Sequence, residues 1–85
     1  MITIMFDRSC IGWTKYPEFN RAFLTQQNCY ILETLSRRGY MYLNEIYETL
    51  GAKWNPNDEN ICWHGRPIWF EFEPAEGSDF VVKIS

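Results

Sequence analysis

Eighty-five residues with a mass of 10.2 kDa confine the chain to a single domain spanning 1–85, since a core able to stand alone takes most of a chain this short. Apolar side chains at 46% and aromatics at 18% supply that core without disulfides and exclude whole-chain disorder. Eight Lys and Arg against eleven Asp and Glu leave a net charge of -3, which argues against a non-specific binder of phosphate backbone.

Met1 to Phe6 places Ile2, Ile4 and Phe6 on one side and Met1, Thr3 and Met5 on the other, the period of a short strand. Asp7 and Arg8 end this run. It lacks a basic leader and is too short for a signal peptide or a membrane span, so neither export nor anchoring is expected. Residues 7–16 show no period and read as a loop pinned by the isolated apolar residues Ile11 and Trp13.

Pro17 suits the first turn of a helix. From Glu18 to Arg38, Phe19, Phe23, Leu24, Ile31, Leu32 and Leu35 recur at helical offsets, and Arg37, Arg38 and Gly39 supply a cationic last turn and a glycine stop. A helix of up to 21 residues follows, with Thr25, Gln26, Gln27 and Asn28 as a polar insert at which a kink or break is expected, because Thr25 could cap a new helix. Tyr40, Met41 and Tyr42 read as a tight connection with a stub of strand. Leu43, Ile46, Tyr47 and Leu50 then sit at i, i+3, i+4 and i+7, predicting a two-turn helix over 44–50 with Asn44 as its N-cap and Gly51 as its stop.

Asn55 to Asn60 is a run of turn-forming residues. Beyond it the period changes to two. Ile61 to His64, a turn at His64-Gly65-Arg66-Pro67, and Ile68, Phe70 and Phe72 alternating with Trp69, Glu71 and Glu73 describe a hairpin. A second turn at Pro74 to Ser78 leads to Phe80, Val82 and Ile84 alternating with Val81 and Lys83. The expected fold is therefore α+β: one long and one short helix packed on a three- to four-stranded antiparallel β-meander.

Cys10, Cys29 and Cys62 are odd in number and form no C-x-x-C pair, which fits a reducing cytoplasm better than a disulfide scaffold. Cys62 and His64 lie two apart on a predicted strand, the spacing for two metal ligands or a thiol beside an imidazole. Zinc needs more ligands than this, and a buried cysteine usually packs as a small hydrophobe, so no metal and no cofactor are expected. Glu71 with Glu73, and Glu45 with Glu48, are paired carboxylates on paper. Solvated faces explain them better, with Glu71 opposite Lys83 across strands. Phosphate loops, nucleophile elbows and H-E-x-x-H are absent, so an enzyme is not expected.

Arg37, Arg38, Tyr40 and Tyr42 beside a two-helix unit and a hairpin follow the order of elements in a winged-helix DNA reader. Glu45 and Glu48 occupy the candidate recognition helix, however, and the hairpin is acidic. Residues 1–53 carry six bases and five acids, whereas 54–85 carry two bases and six acids. Within that acidic half, Trp54, Trp63 and Trp69 accompany Asp58, Glu59, Glu71 and Glu73. Four Trp, five Tyr and six Phe exceed what a small core takes in, so some rings reach the surface, where Trp and Tyr are typical interface anchors. The competing reading is that they cap both faces of a thin sheet.

Gly39-Tyr40-Met41-Tyr42-Leu43-Asn44-Glu45-Ile46-Tyr47-Glu48-Thr49-Leu50-Gly51 resembles a segment of small, uncharacterised proteins encoded by phages and prophages of Gram-positive bacteria, with the pattern Leu-Asn-Glu-Val/Ile-Tyr-x-x-Leu-Gly. The likeness covers residues 28–63. It departs after Gly51, where Ala52, Lys53, Trp54 and the Asn/Asp loop replace the usual connection. The resemblance implies an origin in a mobile element, no catalytic residues and a cytoplasmic protein that binds a host protein, as inhibitors of CRISPR nucleases do. Trp54, Trp63 and Trp69 would then be anchors, with Asp58, Glu59, Glu71 and Glu73 matching a basic groove. A DNA-binding regulator of the element is the alternative, and self-association through the aromatic face is a third reading.

Overall fold

The computed structural model describes residues 2–53, 61–64 and 70–84. Its elements are β1 (Ile2–Phe6), α1 (Pro17–Arg38), β2 (Tyr40–Tyr42), α2 (Leu43–Thr49), β3 (Cys62–His64), β4 (Phe70–Pro74) and β5 (Phe80–Ile84). The fold is α+β, with one long helix, one short helix and antiparallel strands throughout.

The strands group differently from a simple meander. β4 and β5 form the expected antiparallel pair, but the third strand of that sheet is β1, giving the order β1-β5-β4. β3 instead pairs with β2 in a separate two-stranded ribbon. Burial explains the choice: Met41 and Trp63 lie opposite each other in this ribbon and both are buried, so the register places their side chains on the core side. In the larger sheet Ile2, Ile84 and Phe70 share one row, Ile4, Val82 and Phe72 the next, and Phe6 and Phe80 a third. These rows belong to or pack against the core cluster with Leu24, Ile31, Leu35, Leu43, Ile46 and Leu50.

α1 runs unbroken for 22 residues and starts one residue earlier than expected, with Pro17 in its first turn. The polar insert does not interrupt it because Thr25 folds its hydroxyl back onto the Arg21 carbonyl (2.9 Å) instead of capping a new helix. Gln27 and Asn28, half-buried, take the stripe positions between the buried Leu24 and Ile31. Phe19 and Leu32, read as core positions, are exposed, while Asn20 is fully buried in their place. Gly39 follows at φ 83°, its N–H bonded to the Leu35 carbonyl at 2.7 Å. α2 begins at Leu43, so Tyr42 is the N-cap residue and Asn44 lies inside the helix, buried.

The loop after β1 is held by Cys10, which is buried, and by Trp13, whose indole Nε1–H donates to Asp79 (3.0 Å). Ile11, expected as a pin, is 92% exposed. Its backbone N–H instead bonds to the Gly51 carbonyl at 3.0 Å, tying the loop to the end of α2.

Candidate protein-binding surface

Four of the seven residues expected to contact a partner, Trp54, Asp58, Glu59 and Trp69, lie outside the described residues. Trp63 is only 8% exposed and belongs to the core cluster, so its indole is packing rather than an anchor. Glu71 and Glu73 do stand together on the solvent side of the larger sheet. That side is built by the register: Thr3, Lys83 and Glu71 form one row, and Met5, Val81 and Glu73 the next. Lys83 faces Glu71 directly, yet its Nζ reaches diagonally to Glu73 Oε1 at 3.3 Å. Both groups are well solvated, which makes the pair weak.

Rings and carboxylates share a second surface on the β2–β3 ribbon. There Tyr40 pairs with His64 and Tyr42 with Cys62, opposite in direction to Met41 and Trp63. Tyr40 and Tyr42 are 39% and 42% exposed, their rings edge-to-face at 6.0 Å. The Arg38 guanidinium lies 4.3 Å from the Tyr40 ring centre and forms a forked pair with Glu45, at 2.7 and 3.3 Å. Glu45 Oε2 also accepts the Tyr42 N–H at 2.9 Å, closing the start of α2. Arg38 and this backbone donor hold the Glu45 carboxyl below its ordinary pKa, and Glu45 together with the Tyr40 side chain raises that of Arg38.

Beside this network opens a cleft of about 360 Å³ lined by Gln27, Tyr30, Arg38, Met41, Glu45, Glu48 and Thr49. It offers an apolar floor at the buried Met41, an aromatic wall at the exposed Tyr30 and a rim where Glu48 adds a carboxylate to the Arg38–Glu45 pair. Such a lining suits a side chain with an apolar stem and a polar head. The sequence marks Gln27 only as part of the polar insert and gives Tyr30, two residues past that insert, no role; their helical offset of three is the signal that places them on one face.

The remaining candidates are dispersed. Cys62 lies on the ribbon near His64, its thiol directed at the Trp63 carbonyl (3.7 Å), while Cys10 is buried and Cys29 exposed. Among the described residues no group of three His, Cys, Asp or Glu is placed to hold a metal ion, and no helix is long and apolar enough to cross a membrane. Burial pushes the Cys10 thiol pKa up.

No curated protein and no solved structure matches this sequence. A sequence family does, over residues 2–82, from the start of β1 into β5 and including both helices. The chain belongs to the family of unknown function DUF6353.

Proposed function

We propose that this chain is a non-enzymatic, cytoplasmic binding protein of a phage or other mobile element, which acts by occupying a host protein. The observation that carries this reading is the Tyr40–Tyr42 pair, exposed on its ribbon and joined through Arg38 and Glu45 to an acid-rimmed cleft. Exposed tyrosines held in fixed geometry lose little entropy on binding and are favoured interface anchors. Carboxylates beside them, and Glu71 and Glu73 on the sheet, match a basic surface. The most concrete target is the nucleic-acid groove of a defence nuclease such as a CRISPR effector, a choice resting on the likeness of the Leu43–Gly51 segment to phage proteins.

A duplex-reading role gains no support from the same surface. Arg38 is engaged by Glu45 and Tyr40, and α2 presents Glu45 and Glu48.

The test starts with capture of the tagged chain from lysate of a Gram-positive host at moderate salt, with mass spectrometry of the retained proteins. The reading requires that a captured protein bind the purified chain stoichiometrically and lose its nucleic-acid binding as it does so. Tyr40→Ala with Tyr42→Ala should weaken that complex at least about tenfold, and Glu71→Lys with Glu73→Lys should weaken it at low salt. A chain that retains only itself, or that shifts duplex DNA unless Arg37 and Arg38 are replaced by Ala, overturns it.

A further inference from the structure

The charges lining the cleft between α1 and α2 do not balance. Arg38 and Glu45 form their forked pair, and the guanidinium also rests on the Tyr40 ring, so these two charges cancel. Glu48 is the remaining charged residue of the lining. Its carboxylate is exposed, and among the described residues it has no hydrogen-bond or ion-pair partner. The last turn of α2, where Glu48 stands, carries no base.

Unfilled acceptors accompany this charge. The Gln27 carboxamide is half-buried and has no partner among the described residues. The Thr49 hydroxyl gives its proton to the Glu45 carbonyl at 2.9 Å, which leaves lone pairs to offer a ligand. An anion would meet Glu48 and an Arg38 already engaged. A wholly apolar group would strip water from these oxygens and return no hydrogen bond. What the lining fits is a cation with several donors on an apolar stem. The stem lies against the buried Met41, and the head lies among the oxygens of Glu48, Gln27 and Thr49 beside the half-exposed Tyr30 ring. Its volume of about 360 Å³ is at the small end of ligand pockets, which run from roughly 300 to 1,000 Å³, so the occupant is one long side chain.

We propose that this cleft receives the side chain of one arginine from a basic segment of the protein partner. A guanidinium suits it better than an ammonium, because its plane stacks on an aromatic ring while its donors spread toward separate acceptors. The inference rests on the reading of the chain as a binder of a basic host surface, and it names the residue that such a surface would insert. Arg38 borders both the cleft and the Tyr40 ring, so the inserted arginine would seat beside the exposed tyrosine pair.

Titration of the isotope-labelled chain with the end-blocked peptide Gly-Arg-Gly should move the amide resonances of Gln27, Tyr30, Glu48 and Thr49 together, with an affinity on the order of millimolar for a single side chain. The citrulline peptide, alike in shape but uncharged, should show no saturable binding, and Gly-Lys-Gly should bind more weakly. Glu48→Gln and Tyr30→Leu should each weaken the arginine peptide roughly threefold, and unmoved resonances in β5 would show that the fold is intact. An absence of saturable shifts, shifts centred elsewhere, equal binding of the citrulline or lysine peptide, or indifference to Glu48→Gln overturns the proposal. These outcomes need no host protein. A captured partner whose binding depends on Tyr40 and Tyr42 but not on Glu48 overturns the arginine site alone, whereas saturable arginine binding with no captured partner supports the site and overturns the host-binding reading.

Discussion

Asn28 on the long helix stands in for a strand residue opposite Phe70: its carboxamide donates to the Phe70 carbonyl and accepts from the Phe70 N–H, at 3.3 and 3.4 Å. Ala75 N–H bonds to the Asp79 carbonyl, so by alternation Phe70–Ile84 is a non-bonded pair of the ladder, and among the described residues the Asn28 side chain is the partner of both groups. Asn28→Ala should cost about 1 kcal/mol in denaturant unfolding, and the Phe70 amide should exchange at the rate of an unprotected group while the Lys83 amide stays slow.

Asn20 is a stronger case. Fully buried, it accepts from the Thr14 N–H (2.8 Å) and hydroxyl (2.9 Å) and donates to the carbonyls of Thr14 (2.8 Å) and Ser78 (2.9 Å), which saturates its carboxamide. It therefore joins the loop before α1 to the turn between β4 and β5. Asn20→Ala strands several polar groups at once and should cost about 3 kcal/mol. Asn20→Asp should not rescue it, since two donors become an oxygen facing carbonyls.

Gly39 and Gly51 both have positive φ, 83° and 77°, but their surroundings separate them. A Cβ on Gly39 meets nothing within 4 Å, so Gly39→Ala should cost only the left-handed penalty of about 1 kcal/mol. At Gly51 the added carbon would lie 2.8 Å from the Ile11 N and 2.9 Å from the Gly12 N. These are backbone atoms that cannot rotate away. Gly51→Ala should therefore lose several kcal/mol and break the Ile11–Gly51 hydrogen bond, and paired melting curves would rank the two.

The Glu45 carboxyl titrates below its ordinary 4.5 because the Arg38 guanidinium and the Tyr42 N–H favour its charged form. A folded-state pKa lower than the unfolded one adds stability that is complete above about 4.5 and disappears as pH falls through the lowered value. Glu45→Gln keeps a hydrogen-bond acceptor and removes the charge. Its deficit against wild type should be full near neutrality, at about 0.5 kcal/mol for a surface pair, and should vanish in acid. Unfolding curves at pH 7 and below pH 4 decide the point.

Thiol chemistry should follow burial. Cys29 is exposed and Cys10 is buried with its pKa pushed up by desolvation, so a disulfide reagent at neutral pH should modify Cys29 promptly and Cys10 only as the chain unfolds.

Periodic segments were legible because their information is local. The alternation in β1, β4 and β5 and the i, i+3, i+7 stripe of Leu43, Ile46 and Leu50 predicted both the elements and their buried faces. What escaped was set by distant partners. That Cys62 to His64 would pair with Tyr40 to Tyr42 depends on Met41 and Trp63 meeting across the chain, which no window contains. Asn20 and Asn28 look like surface residues until Ser78 and Phe70 arrive to bond them. Ile11 reads as a pin by hydrophobicity, yet the turn at residues 7–10 buries Cys10 and leaves Ile11 outside. The candidate surface was half readable: Arg38, Tyr40 and Tyr42 drew notice, but their linkage to Tyr30 and Glu48 is tertiary.

The central position of β5 also has a consequence for synthesis. Residues 80–84 leave the ribosome after the other described elements, yet both β1 and β4 need them as a partner. Ile2 waits for Ile84 across nearly the whole chain, and closing so distant a contact is slow compared with helix formation. The nascent chain thus carries α1 with its sheet side uncovered and β1 unpaired until β5 emerges.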